Sequence, residues 1–263
     1  YATTTPEGHG WAFDTFKKNA KTDTRLIQAK TSDNKYLPEG FIQSLIENYP
    51  EQLIKAYLNG EFVNLTSGAV YRFDRNVHVS NQLLNYKNEI LRVGIDFNIQ
   101  NTNCVIGVRD GNKLVIIDEI TKMHDTDALA KEILRRYPNQ KILIYPDASG
   151  SNRSTNSSQT DIAILEGYGF TNMSPRSNPP IRDRVSAVNS LLKNGKGEVR
   201  LAISPCCRTL IECFELQAYD EKTGEPDKQN GYDHILDSLG YLIWREFNPL
   251  YFRSGKSTGI RLY

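Results

Sequence analysis

The chain has 263 residues, 39% of them hydrophobic, enough for one large domain or for one domain with an extra piece. Its 32 Lys and Arg against 31 Asp and Glu leave a formal charge of +1, so composition alone announces no nucleic-acid binder and any electrostatic footprint is local. No apolar run approaches the roughly 18 residues of a membrane helix and no signal-peptide pattern opens the chain, so no membrane contact is expected.

The chain starts at Tyr1, without Met and in mid-motif, and is expected to be a fragment of something longer. TTTPEGHGWAFDTFKK (3–18) reads as a polar, Gly-containing turn leading into an aromatic run. LPEGFIQSLIENYPEQLIKAYLNGEF (37–62) reads as two short amphipathic helices split at Pro50. LRVGIDF (91–97) is a compact apolar run closed by an acid, the pattern of a buried central strand. Two β-branched runs follow, joined by Arg109-Asp110-Gly111-Asn112, a strong hairpin signal. Strands at 91–97, 102–109 and 113–120 are therefore predicted to form an antiparallel meander.

A helix capped by Asp125 or Thr126 is predicted to stop at Pro138, and KILIYP (141–146) is a second buried strand that delivers Asp147 at its carboxyl end. SGSNRSTNSSQTD (149–161) is a polar loop opening a helix near Asp161. Helical spacing over 181–194, a short strand at 199–203 and a helix from Pro205 to about Gln217 come next. AYDEKTGEPDKQNGYD (218–233) is turn-rich and fits a hairpin or a plain loop, before a last helix over 233–247. No repeat is visible. The four cysteines match no CxxC spacing, and adjacent Cys206 and Cys207 suit a disulfide poorly, so buried, reduced thiols in a cytoplasmic protein are expected. The order β-β-β-α-β-α…α, with three antiparallel strands first, is that of a ribonuclease H-like α/β domain: a mixed sheet with flanking helices.

An acid closing an apolar strand is expensive to bury unless a cation or a donor meets it. Asp96 and Asp147 fall at the ends of strands expected to be neighbours. On the last helix His234 and Asp237 are three residues apart and share a face, with Asp233 at the helix start as a supporting acid or as the N-cap. Oxygen ligands with few His and no Cys favour Mg²⁺ or Mn²⁺ over Zn²⁺. Two such ions roughly 3.5–4 Å apart would clamp the attacking water and the leaving oxygen of a phosphodiester. Asp96, Asp147 and Asp237 are thus the candidate metal ligands and catalytic acids. Each has a bland reading as well: Asp96 as a turn cap, Asp147 in an Asx-turn with Ser149, Asp233 as an N-cap alone. His234 is open between ligating, positioning a phosphate, shuttling a proton and bonding within the fold. Arg153 in the polar loop and one of Arg182 and Arg184 are candidates for DNA-backbone contact; the latter two, two apart, point to different sides of their helix. An ordinary solvated face is the competing reading for each. Nothing resembles a base-reading helix, so low sequence specificity is expected.

GAVYRFDRNVHV (68–79), GIDFN, YPDASG, RDRVSAVNSLL and YDHILDSLGYLIWREF together resemble the nuclease domain of the large terminase subunit of tailed bacteriophages and prophages, over about 65 to 250. The resemblance implies an endonuclease that uses two Mg²⁺ or Mn²⁺ ions on double-stranded DNA. It places that family's three catalytic acids on Asp96, Asp147 and Asp237 and its helix histidine on His234. TTTPEGHGWAFDTF is similar to that family's motif coupling ATP hydrolysis to movement, and 37–62 to its linker between motor and nuclease. The resulting division is 1–65, remnant of an ATPase domain with linker helices; 66–250, nuclease; 251–263, tail. The resemblance further implies work in the cytoplasm of an infected bacterium and, for the full-length protein, portal and small-subunit partners. No GxxxxGK[ST] phosphate loop occurs, so cutting without ATP hydrolysis or translocation is expected of this chain. A Holliday-junction resolvase, a transposase or ribonuclease H would use the same acids, and a non-catalytic assembly module would use them structurally.

Overall fold

The computed structural model describes residues 3, 12, 14–22, 24–62, 69–80, 89–98, 101–151, 159–220 and 222–247. The two predicted front helices are present as α1 (Phe41–Asn48) and α2 (Glu51–Asn59), parted at Pro50. Pro50 has no amide hydrogen to donate and starts the second helix instead of continuing the first. α2 ends at Gly60, whose φ of 64° is left-handed and whose absent Cβ would meet the Ala29 carbonyl oxygen at 2.9 Å. A one-turn helix, α3 (Arg75–His78), leads into the main domain and is capped by the Asp74 carboxylate.

Six strands, β1 (Leu91–Asp96), β2 (Thr102–Asp110), β3 (Lys113–Met123), β4 (Ile142–Pro146), β5 (Thr171–Asn172) and β6 (Leu201–Ile203), form one sheet in the order β5-β4-β1-β2-β3-β6. β1, β2 and β3 pair antiparallel, as the Asp110-Gly111 turn requires, while β4 joins β1, β5 joins β4 and β6 joins β3 in parallel. β3 runs to Met123, past its expected end, through a register shift between Thr102 and Cys104 and a left-handed Lys122. β5 is two residues long, too short to carry an alternating pattern, and is not legible as a strand in the sequence.

Helices cover both faces. α4 (Thr126–Arg136), opened by the Asp125 carboxylate accepting from the Ala128 amide at 2.7 Å, packs on one face with α5 (Asp161–Gly167). That face buries Leu91, Val93, Ile95, Ile106, Ile142 and Ile144. The other face carries α6 (Ile181–Leu192), α7 (Arg208–Leu216) and α8 (Asp233–Phe247), over Val105, Leu114, Ile116 and Tyr145. α6 stops two residues before the expected Asn194. α7 starts later than Pro205 because the Glu119 carboxylate takes the Thr209 and Leu210 amides, each at 2.8 Å, and so caps the helix from β3. The 218–233 stretch is hairpin-like, with a Tyr219 to Pro226 bridge and the Asp220 amide bonded to the Glu225 carbonyl. The four cysteines are free, but Cys206 is exposed and not buried as expected; its thiol bonds to the Ile117 carbonyl. Among the described residues no helix is long and apolar enough to cross a membrane.

The period of two in β1 sorts its side chains. Leu91, Val93 and Ile95 enter the α4 and α5 core, and Arg92, Gly94 and Asp96 face α8. That second row meets the helix in reverse order: Arg92 beside Glu246, Gly94 under Ser238 and Leu242, Asp96 beside His234. A Cβ on Gly94 would lie 2.0 Å from the Ser238 carbonyl oxygen, so only glycine lets the helix backbone settle on the strand. Ser238, fully buried, donates from its hydroxyl to the Asn103 carbonyl on β2 and so fixes the rotation of α8.

Candidate active site

Asp96 ends β1 and Asp147 follows β4, and the two strands are parallel neighbours: the Asp147 amide donates to the Ile95 carbonyl at 3.0 Å. The segments are also locked laterally. A Cβ on Gly150 would fall 2.2 Å from the Phe97 ring, so this glycine makes room for the residue next to Asp96. α8 brings its first turns to the same end of the sheet. Asp96, Asp147, Asp233, His234 and Asp237 therefore come from three elements to one sheet edge.

Each of the three main acids is held by another side chain. Asp96 is 6% exposed, and His234 Nδ1 lies 3.2 Å from its Oδ2. The same imidazole nitrogen is 2.7 Å from the Asn98 side-chain amide. With a proton, Nδ1 donates to Asp96; without one, it accepts from Asn98. Asp147 Oδ1 accepts from Asn178 Nδ2 at 2.6 Å and from the Ser149 amide at 2.7 Å, so the Asx-turn expected as the bland reading is present. Asp237 Oδ1 accepts from Arg184 Nη2 at 3.0 Å.

Burial governs the electrostatics. It raises the Asp96 pKa, partly opposed by the His234 bond and charge and reinforced by Asp147 and Asp233. It pushes Asp237 up to about 6 even with Arg184 alongside, with Asp96 and Asp233 adding to the rise. The bond to Asp96 raises His234 above the ordinary imidazole value, against its own partial burial. Asp233 is the first residue of α8. It is 7% exposed and its Oδ1 has no hydrogen-bond partner among the described residues. With Gln217, whose buried Oε1 also has no hydrogen-bond partner among the described residues, and with Asp237, it lines a cavity of about 10 Å³, room for one water-sized species.

The basic candidates part company. Arg153 lies outside the described residues. Arg182 is exposed on α6. Of Arg182 and Arg184, expected to point to different sides, Arg184 is the inward one and is no candidate for DNA contact: its side chain is 6% exposed, turned to Asp237, with its Cζ 4.4 Å above the Tyr241 ring. Asn98 and Asn178 fall outside the candidates read from the sequence. Asn98 lies within GIDFN, and Asn178 sits in SPRSNPP, a proline-framed loop that signals no more than a turn.

The donor set suits a hard divalent cation: carboxylate oxygens, one imidazole, no thiolate, two carboxylates raised by burial, and an orphaned carboxylate oxygen on Asp233. Among the described residues, no three His, Cys, Asp or Glu side chains stand close enough to enclose one.

A six-stranded mixed sheet of this order, covered on both faces by helices, defines a ribonuclease H-like α/β domain. Residues 93–246 match the family described as Terminase RNaseH-like domain, and residues 1–76 match the N-terminal family of the T4likevirus-type terminase large subunit. The chain belongs to the terminase large subunit family. The large terminase of a thermophilic bacteriophage, in complex with ATP-gamma-S, is similar at 18% identity and a TM-score of 0.69, over 92% of this chain and 61% of that one. The nuclease domain of the P22 large terminase is similar at 17% identity and a TM-score of 0.55, over 69% of this chain and 94% of that one. At such identities the likeness concerns the fold. The chain spans about 61% of the length of the thermophilic phage protein. No curated protein matches it in sequence.

Proposed function

We propose that this chain is the nuclease part of a phage or prophage large terminase and hydrolyses phosphodiester bonds of double-stranded DNA during genome packaging. It would do so with low sequence specificity and with two Mg²⁺ or Mn²⁺ ions at Asp96, Asp147 and Asp237. The observation that carries this reading is the meeting of acids from β1, the end of β4 and α8 at one end of the sheet, with Asp96 buried and Asp237 partly buried and neither given enough positive charge to keep its pKa ordinary.

When bound, two divalent cations supply an activated water and charge neutralisation at the leaving oxygen. The chain's own residues do the rest. Asp96 and Asp147 are set by adjacent strands, so their separation is fixed by sheet geometry and not by loop conformation. Asn178 and the Ser149 amide hold Asp147 through one oxygen. His234, half-buried beside Asp96, holds or passes a proton at Nδ1. Tyr241 and Gly240 keep Arg184 against Asp237.

The full-length protein would add the rest of an ATPase domain, whose remnant and linker helices are 1–65 here, and would work with a portal and a small subunit in the host cytoplasm; 251–263 would be its tail. This chain is expected to cut without hydrolysing ATP. The test is plasmid cleavage with Mn²⁺, with and without EDTA, beside Asp96→Asn, on duplex, four-way-junction and RNA–DNA substrates. Metal-dependent cutting of duplex that Asp96→Asn abolishes supports the proposal. Junction-only cleavage moves the chain to a resolvase, and equal behaviour of wild type and variant leaves an assembly module.

A further inference from the structure

Arg184 is placed with more care than a surface arginine needs. It lies in the second turn of α6, 5% exposed as a residue, and enters the space left by a glycine of the facing helix: a Cβ on Gly240 would sit 3.3 Å from Arg184 Cβ and 3.6 Å from its Cδ. The guanidinium lies over the Tyr241 ring and gives one bond to Asp237, while its Nε has no acceptor among the described residues. A buried guanidinium with an unmade bond is poorly satisfied. It also cannot leave by losing its proton, since arginine stays charged in proteins. Its salt-bridge partner among the described residues is Asp237, an acid proposed above as a metal ligand.

We infer that Arg184 is a resident counter-ion for Asp237, which a divalent cation must displace or repel in order to take that carboxylate, so that Arg184 sets how tightly the site loads. This rests on the reading of Asp237 as a metal ligand. Two cations on one partly buried carboxylate oppose each other: either the metal takes Oδ1 and Arg184 loses its partner, or both remain and repel. By linkage, the factor by which Arg184 weakens metal binding is the factor by which the metal weakens the Arg184 to Asp237 contact. Arg184 is thus a positioning residue. It keeps Asp237 ordered and neutralised in the metal-free chain, where Asp96 and Asp233 would otherwise repel it.

Mn²⁺ binding by titration calorimetry, without DNA, on wild type, Arg184→Met, Arg184→Lys and Asp237→Asn tests this. Arg184→Met should bind Mn²⁺ about tenfold more tightly, within the usual range of coupling between two sites. Arg184→Lys should stay near wild type, because the charge remains, and Asp237→Asn should bind more weakly. Equal or weaker binding by Arg184→Met, with Asp237→Asn still weakened, overturns the counter-ion role alone. If wild type and Asp237→Asn bind alike, the ligand reading of Asp237 falls and the counter-ion role falls with it. Should Arg184→Met fail to fold, the wild type decides: the Arg184 Nε–H resonance, assigned by its loss in Arg184→Lys, should move on saturation with Mg²⁺. A resonance that stays in place rejects the inference.

Discussion

Near the start of α8 the partly buried carboxylate of Asp237 has Arg184 bonded to it and is still pushed up to about 6. Nine residues on, about 13 Å along the helix axis, Glu246 is treated in the opposite way. Arg109 Nη1 donates to its Oε2 at 2.8 Å, Arg92 Nε stands 3.2 Å from the same oxygen, and the Tyr145 hydroxyl donates to Oε1. Burial raises the Glu246 pKa, but these partners outweigh it and hold the group below the ordinary glutamate value. The same strand serves both ends, with Arg92 at one and Asp96 at the other. A carboxylate that only holds the fold together is saturated with donors. The acids at the other end are left short of positive charge, and the buried Asp233 oxygen has no partner among the described residues.

Asp237→Asn and Asp96→Asn should give the largest effect, lowering Mn²⁺-dependent cleavage by about 10²–10³-fold or more. In Asp96→Asn the melting temperature should hold or rise as like charges are removed, whereas Asp237→Asn takes the charged partner from the buried Arg184 and should melt lower. A large drop in melting temperature in Asp96→Asn would place that acid with Glu246 as a structural group. Glu246→Ala should do the reverse. It takes the shared acceptor from two partly buried arginines, so chemical denaturation should show a loss of about 1–3 kcal/mol, and specific activity well below the melting point should persist. Gly94→Ala attacks the contact shared by both ends, and overpacking under Ser238 should cost about 1–3 kcal/mol and reduce cleavage too. Unchanged stability would mean that α8 can lift off β1 freely.

The depressed Glu246 pKa gives the comparison a pH signature. Its contribution to stability is complete above the ordinary glutamate value of 4.5 and is lost as pH falls through the depressed folded value. Denaturation followed between neutral and acidic pH should show this limb in wild type, keep it in Asp237→Asn and lose it in Glu246→Gln. The smallest effect belongs to Asn178→Ala, which removes one bond to a half-exposed Asp147. Cleavage should fall by about tenfold or less, with melting nearly unchanged; complete loss of activity would make Asn178 part of the machinery.

What could be read from the sequence was what repeats or punctuates. Alternation in LRVGID, the Asp110-Gly111 turn and the long apolar spacing of α8 carry the sheet order and the last helix, and with them the positions of Asp96, Asp147 and Asp237. The direction of Arg184 was not legible, because helical spacing separates it from Arg182 without saying which of the two faces inward; that depends on Gly240 and Tyr241, some 56 residues away. Asn178 reaches Asp147 from a loop whose path no periodicity records. β5 is two residues long and has no pattern to read. For Arg184 and Asn178 a long-range contact decided the outcome, and local composition does not encode such contacts.

The alternation of β1 has one more consequence. Arg92, Gly94 and Asp96 occupy every second position, so inserting or deleting one residue in this strand would exchange its two rows. Leucine, valine and isoleucine would then face the terminal helix, and the arginine, the glycine and the aspartate would enter the oily layer beneath α4. No frame shift within the strand can move the acid and spare the scaffold. A chain that has folded with this helix seated has, by the same geometry, already aimed Asp96 at the sheet edge where Asp147 and Asp237 stand.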